Sequence, residues 1–275
     1  MKYQSNNYKN TNRLEEDKYY TSNEDAQYCI NIARRMLKGE KISEVVEPSA
    51  GNGVFSKKIK NCIAYDIEPE DESVIKQDFL KLDIPYKKGR LFIGNPPFGN
   101  RNSLALKFYK KCIKLGDFIA FILPISQLDN QQKAYEFDLI YSEDLDKRYY
   151  TDRKIHCCFN IFKRPVEGLH DSPPNYSLTD IDIVEYRRGS KDVLPESFDF
   201  SLCTWGDGSC GKIPDFPGQY AQEHYIIVKN KNMFNMIRDV FENTDWNNLV
   251  PSVSSKKLQT WRIYKHFKDN ISEIQ

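Results

Sequence analysis

The run Leu91-Phe92-Ile93-Gly94, followed by Asn95-Pro96-Pro97-Phe98, constrains this chain more than any other stretch. The apolar residues, bounded by turn formers, read as a buried strand. Two consecutive prolines end it abruptly, because neither can donate to a ladder. Proline also biases the residue before it toward extended conformations, so Asn95 is expected to stand stiffly at the strand's carboxyl end. An amide side chain, the Pro96 carbonyl and an exposed Phe98 would then meet at one place. Such groups can accept hydrogen bonds from a planar exocyclic amine and stack a ring on the same base. Taken alone, the tetrapeptide is equally a proline-rich turn.

The upstream sequence narrows the choice. Val45-Val46-Glu47 reads as a second apolar strand, running into the small-residue loop Pro48-Ser49-Ala50-Gly51-Asn52-Gly53. Val54 to Ile59 then has the composition to start a helix. Glycines let a backbone approach a ligand closely and take positive φ. The loop has neither GxGxxG nor GxxxxGK[ST] spacing, which disfavours dinucleotide and P-loop triphosphate sites.

Two more strand endings carry acids between these motifs. Cys62-Ile63-Ala64-Tyr65-Asp66 places a carboxylate where it could accept both hydroxyls of a ribose. Val74-Ile75-Lys76-Gln77-Asp78-Phe79-Leu80 offers Asp78 to an adenine amine and Phe79 or Leu80 to its faces. Each acid by itself reads as a solvated loop carboxylate; their order and spacing carry the signal.

In that order the chain resembles the class I S-adenosylmethionine-dependent DNA methyltransferases that act on adenine N6, the group in which cofactor motifs precede the catalytic motif. The resemblance covers residues 18–165. It implies a cofactor site of Glu47, Pro48, Ala50, Gly51, Gly53, Asp66, Asp78, Phe79 and Asn95, and a catalytic Asn95, Pro96, Pro97 and Phe98. Tyr19-Tyr20-Thr21-Ser22 resembles the amino-terminal motif that closes over the cofactor's methionine part, which assigns Thr21 there. Bottom-up, the same residues read as a helix start, since Thr21 with Glu24 or Ser22 with Asp25 has capping-box spacing. Phe162 resembles the second aromatic that would sandwich a flipped base with Phe98; core packing is the competing reading.

Leu104 to Leu115 reads as a helix, Phe118 to Pro124 as a buried strand, and Ile155 to Pro165 as the strand closing the sheet. Strands alternating with helices predict an α/β fold with a doubly wound, mostly parallel sheet, whose ligands sit at the carboxyl ends of the strands. A boundary is signalled by Glu167-Gly168 and Asp171-Ser172-Pro173-Pro174-Asn175. The expected organisation is a cofactor-binding catalytic domain over 1–165 and a smaller α+β target-recognition region over 170–275. In the latter, a strand over Tyr225 to Val228 and helices over Asn232 to Glu242 and Ser255 to Lys268 are expected. The glycine-rich segment from Thr204 to Lys212 reads either as a loop presenting Trp205 and Lys212 to a groove or as a tight hairpin turn.

Composition adds exclusions. At 275 residues the chain has room for two domains, and no apolar run approaches the ~20 residues a membrane span requires. The stretch Met1 to Glu16 is polar and lacks a signal-peptide core, and seven scattered cysteines without a CxxC pair suit reduced thiols, so a cytoplasmic location is expected. Cys203, Cys210 and His224 are poorly spaced for zinc, and no metal is expected. The formal net charge of +1 gives no global field for a polyanion. Nucleic-acid binding would need local patches: Lys87 to Arg90, Arg101 with Lys107, Lys110 and Lys111, Arg187 to Lys191, and Lys256-Lys257 with Arg262 and Lys265. Two of these four are expected to touch DNA, with Arg101, Arg188, Trp205 and Lys212 the leading contacts.

The resemblance thus implies methyl transfer from S-adenosylmethionine to N6 of an adenine flipped out of duplex DNA, with a cognate restriction endonuclease as a candidate partner. RNA adenine-N6 and protein-glutamine methyltransferases share the same Asn-Pro-Pro chemistry and are the alternative.

Overall fold

β4 (Arg90–Gly94) and β5 (Phe118–Pro124) are buried along their whole length, as expected of parallel strands covered on both faces. In the computed structural model, which describes residues 20–150, 153–249 and 256–275, they lie at the centre of a seven-stranded sheet. Tyr19 and Ser255 lie outside the described residues, and the helix expected over Ser255 to Lys268 begins only at Thr260.

The sheet has the order β3-β2-β1-β4-β5-β7-β6. Its other members are β1 (Glu44–Glu47), β2 (Ile63–Asp66), β3 (Ile75–Lys76), β6 (Asp138–Tyr150) and β7 (Arg153–Lys163). The pairs among β3, β2, β1, β4 and β5 are parallel, whereas β7 runs antiparallel between β5 and β6. The strand expected to close the sheet is therefore one place in from the edge, and its hairpin partner β6 forms the edge.

Strand alternation sends neighbouring residues to opposite faces. Leu91, Ile93, Ala120, Ile122, Phe159 and Ile161 pack with α1 (Asn23–Met36) on one side. Phe92, Ile119, Phe121, Leu123 and Phe162 pack with α2 (Ser103–Leu115) on the other. The result is an α/β fold with, among the described residues, one long helix on each face.

One expected helix does not form. After Val54 there is only a 3-10 turn, Ser56–Lys58, before Ile59 becomes extended. The buried Glu47 carboxylate accepts the Ser56 amide at 2.8 Å, and the Ser56 hydroxyl donates to the Gly53 carbonyl at 3.2 Å. These bonds hold the chain against the loop, and too few residues remain before Ile63 for a helix of ordinary length.

The chain divides into two units, Met1–Pro173 and Pro174–Gln275. The second is α+β: an antiparallel sheet β8-β10-β9, formed by β8 (Ile181–Arg187), β9 (Phe200–Cys203) and β10 (Gln222–Val228). Leu202, Ile226 and Val228 pack with Ile237 and Phe241 of α3 (Phe234–Glu242) and Ile263 and Phe267 of α4 (Thr260–Asn270). No described helix is long and apolar enough to cross a membrane.

Candidate active site

The carboxyl ends of β1, β2, β3 and β4 deliver Glu47, Asp66, Asp78 and Asn95 to the wall of one cavity of about 310 Å³, within the first unit. That volume lies at the lower end of the range for small-molecule sites, at the place where open α/β sheets bind ligands. Thr21, Pro48, Ala50, Gly51, Phe79, Pro96 and Pro97 also border it.

The loop after β1 is held by its own backbone. The Ala50 amide donates to the Tyr65 carbonyl at 2.9 Å and the Gly53 amide to the Ala50 carbonyl at 2.7 Å. Gly51 and Gly53 have φ of +53° and +75°, a region that a side chain would strain. The Gly51 amide donates to Asp66 Oδ2 at 2.7 Å, and the Glu68 amide to Oδ1 at 2.8 Å. Asp66 therefore ties the β1 loop to the end of β2, and its carboxylate orientation is set from both sides. Asp78 caps a 3-10 turn, accepting from the Leu80 amide at 3.0 Å. Phe79 is buried and stacked on Phe108 of α2, with ring centroids 5.7 Å apart.

Glu47 is 1 % exposed, and burial pushes its carboxyl up to about 7 against the opposing bonds from Ser56, with the nearby Asp66 charge adding to the rise. Asn95 Nδ2 donates to Thr21 Oγ1 at 3.2 Å, and the Ser49 hydroxyl donates to the Asn95 carbonyl at 3.4 Å. Ser22, not Thr21, caps α1, accepting from the Asp25 amide at 3.0 Å.

The cavity has a marked charge character. Glu47, Asp66, Glu68, Glu70 and Asp78 border it, and among the described residues no Lys, Arg or His does. A phosphate-bearing nucleotide would meet repulsion on several sides, whereas a cationic ligand would meet attraction. Among the described residues no cluster of His, Cys, Asp and Glu could hold a metal ion. His224 instead bonds the Thr204 and Thr260 hydroxyls, each at 2.8 Å.

Several expected placements are corrected. Phe98 is not the exposed ring anticipated: it is 8 % exposed and packs among Leu91, Ile93 and α1, while its three predecessors line the cavity. Phe162 is 1 % exposed and meets Tyr109 edge-on at 5.1 Å, on the opposite face of the sheet. Two rings on opposite sheet faces cannot clamp one base in this arrangement. In the first basic patch Arg90 is buried against Glu44 and the Pro85 and Leu115 carbonyls and Lys87 pairs with Glu44 at 2.8 Å, while Lys88 is exposed. In the second patch, Lys110 pairs with Glu136 and Lys111 donates to the Leu82 carbonyl at 2.5 Å.

Arg101 is exposed three residues after Phe98, with φ of +52°. In the second unit, Arg188 is exposed but its Nη2 holds the Gly218 and Gln219 carbonyls, the latter at 2.8 Å. Trp205 is 45 % exposed and Lys212 is exposed. The segment between them is a closed turn: the Cys203 amide donates to the Lys212 carbonyl and the Gly211 amide to the Cys203 carbonyl, both at 2.8 Å.

Some site residues escaped the sequence reading. Tyr20 borders the cavity and its hydroxyl bonds Glu70; burial and that carboxylate push it up to about 12. Gln77 and Phe108 are also in the wall. Tyr20 was legible through its neighbour Thr21, but Phe108 lies on a distant helix whose amphipathic pattern reads simply as core.

By sequence the chain matches no family model and no curated protein. Solved structures to which it is similar include a Pyrococcus horikoshii protein assigned as an RNA methyltransferase, at 17 % identity and TM-score 0.41, covering 54 % of this chain and 87 % of that one. The 23S rRNA methyltransferase ErmE matches at 13 % identity and TM-score 0.40, over 56 % of this chain and 72 % of that one. Trm5 of Methanocaldococcus jannaschii in complex with adenosine matches at 24 % identity and TM-score 0.38, over 54 % and 50 %.

Proposed function

We propose that the protein is an S-adenosylmethionine-dependent methyltransferase acting on the N6 amine of adenine in a nucleic acid. The observation that carries this is the convergence of Asp66, loop residues 48–52 (Gly53 itself does not line the cavity) and Asn95-Pro96 on one cavity whose charged side chains, among the described residues, are all acidic. S-Adenosylmethionine, a net cation, supplies an electrophilic methyl group on its sulfonium. Asp66 is the candidate acceptor for the ribose hydroxyls, and Asp78 with Phe79 the candidate holder of the cofactor's adenine.

An exocyclic amine conjugated into a ring is a poor nucleophile. Asn95 Oδ1 and the Pro96 carbonyl, by accepting its two hydrogens, favour a more tetrahedral nitrogen with a localised lone pair. No strong base is needed, because the nitrogen becomes acidic as it gains positive charge. Positioning of this kind can supply up to ~7–11 kcal/mol of a barrier.

Duplex DNA is the reading favoured by the long second unit, Pro174–Gln275, as a target-recognition region, since the alternatives share the motifs up to residue 98. A second reading is favoured by the burial of Phe98 and Phe162, which removes the two rings expected to clamp a base flipped from a duplex. Unstacking costs least where the base is already unpaired, so single-stranded RNA or DNA is the competing target. The test is transfer of labelled methyl groups to duplex DNA, single-stranded DNA, RNA and a glutamine-containing peptide, followed by nucleoside mass spectrometry. N6-methyladenine in a nucleic acid is the expected product. Label in the peptide alone, or in none of the four, overturns the proposal.

A further inference from the structure

We infer that the cavity tells the methyl donor from its spent product by charge, binding S-adenosylmethionine at least tenfold more tightly than S-adenosylhomocysteine. The inference rests on the methyltransferase reading. In the transfer the S–CH3 bond breaks with its electron pair left on sulfur, and the nitrogen lone pair forms the new C–N bond. The positive charge passes to the nitrogen and departs to water as a proton. The donor is thus a net cation and the product is not, while the two share adenine, ribose and the amino-acid tail.

Two carboxylates make this difference felt. Glu47 is buried in the cavity wall, and its Oε2 accepts from the Ser56 amide at 2.8 Å. Asp66 accepts from the Gly51 and Glu68 amides at 2.7 and 2.8 Å. Amide donors orient a carboxylate but leave its negative charge in place, and among the described residues no Lys, Arg or His borders the cavity to offset it. Burial, and then the Asp66 charge, raise the Glu47 carboxyl to about 7, as expected of an acid that no cation compensates. Glu47 also stands beside the catalytic strand end: a Cβ on Gly94, the residue before Asn95, would sit 3.4 Å from Glu47 Cγ. In about 310 Å³ a cation has no place far from either carboxylate, and a charge removed from water is weakly screened. A neutral thioether of the same shape receives none of this attraction. Phe79, Leu80, Leu104 and Phe108 supply apolar surface that serves both ligands alike. Turnover therefore removes the attraction that held the donor, and the spent product is left weakly bound.

The experiment is calorimetry on the full chain at about pH 8, where Glu47 is mostly ionised. It measures Kd for S-adenosylmethionine, S-adenosylhomocysteine and sinefungin, an analogue that carries an ammonium group where the sulfonium methyl stands. S-Adenosylmethionine and sinefungin are each expected to bind at least tenfold more tightly than S-adenosylhomocysteine. Glu47→Gln keeps an acceptor for the Ser56 amide and loses the charge. It is expected to cut the ratio of donor to product affinity at least threefold, with Kd for the product within twofold of the parent. A donor-to-product ratio below tenfold in the parent overturns the inference. Sinefungin grouped with the product also overturns it, since the preference would then be for the methyl group, and so does a ratio unchanged in Glu47→Gln. Should that variant fail to fold, the parent's ranking of the three ligands decides. A parent that binds none of the three fails the methyltransferase reading itself, a distinct result.

Discussion

Asp66 is asked to do two things at once, since its carboxylate both secures the Gly51 amide and is the candidate ribose acceptor. Asp66→Ala is therefore expected to weaken S-adenosylmethionine binding at least tenfold in calorimetry. It should also lower stability by about 1–3 kcal/mol, because the Gly51 amide loses its acceptor. Asn95→Ala separates chemistry from binding: turnover should fall below detection while cofactor affinity stays within a few-fold. Retained turnover would remove Asn95 from the mechanism. Glu47 predicts a pH signature. Its carboxyl is raised from the ordinary 4.5 to about 7, so the folded state holds its proton more tightly than the unfolded chain does. Its contribution is fully present below pH ~4.5 and is lost as pH rises toward about 7, a change on the order of 3 kcal/mol. Glu47→Gln should flatten the denaturation-midpoint profile across that window, and an unaltered slope would refute the assignment.

At the level of elements, the central strands β4 and β5 are buried along their whole length. Phe121 lies at the centre of β5, fully buried between β4 and β7. Phe121→Ala should cost about 3–5 kcal/mol by denaturant titration, through lost transfer energy and the cavity left behind. Helix α1 depends more on its start: Ser22→Ala removes the cap and should cost about 1 kcal/mol. A loss much larger than that would mean that Ser22 also supports Tyr20 and Thr21 on the cavity wall. β4, β5 and α2 were legible to within a residue or so, because continuous apolar runs and helical periodicity are local signals. The turn after β1 has the composition of a helix start but forms only a 3-10 turn. Its conformation is decided by Glu47, a residue whose burial cannot be read from the segment itself.

For the whole molecule, the question is what the Pro174–Gln275 unit does. Lys212 and Trp205 are exposed there on a closed turn. If this unit reads nucleic acid, Lys212→Ala should lower affinity uniformly across sequences and reduce the salt slope by about one, measured by fluorescence anisotropy. Cofactor affinity should not change. Arg188→Ala is a poorer probe, since its guanidinium holds the 218–219 turn and its loss would disturb the fold locally. An unchanged salt slope in the Lys212 variant would remove this turn from the interface.

The order of the motifs and the residues at the strand ends were determined by the sequence itself, because strand termination, turn chemistry and small-residue loops are effects of adjacent residues. Asp66, Asp78 and Asn95 reach one cavity for that reason. Which face each aromatic takes was decided only by the tertiary structure. Phe98 stands in a polar turn sequence and Phe162 in an apolar run, yet both are buried, by helices on opposite sides of the sheet. The bond between Thr21 and Asn95 and the Phe108 stack on Phe79 belong to the same class, joining segments far apart in the chain. Such pairings depend on how whole elements pack, and no local pattern encodes them.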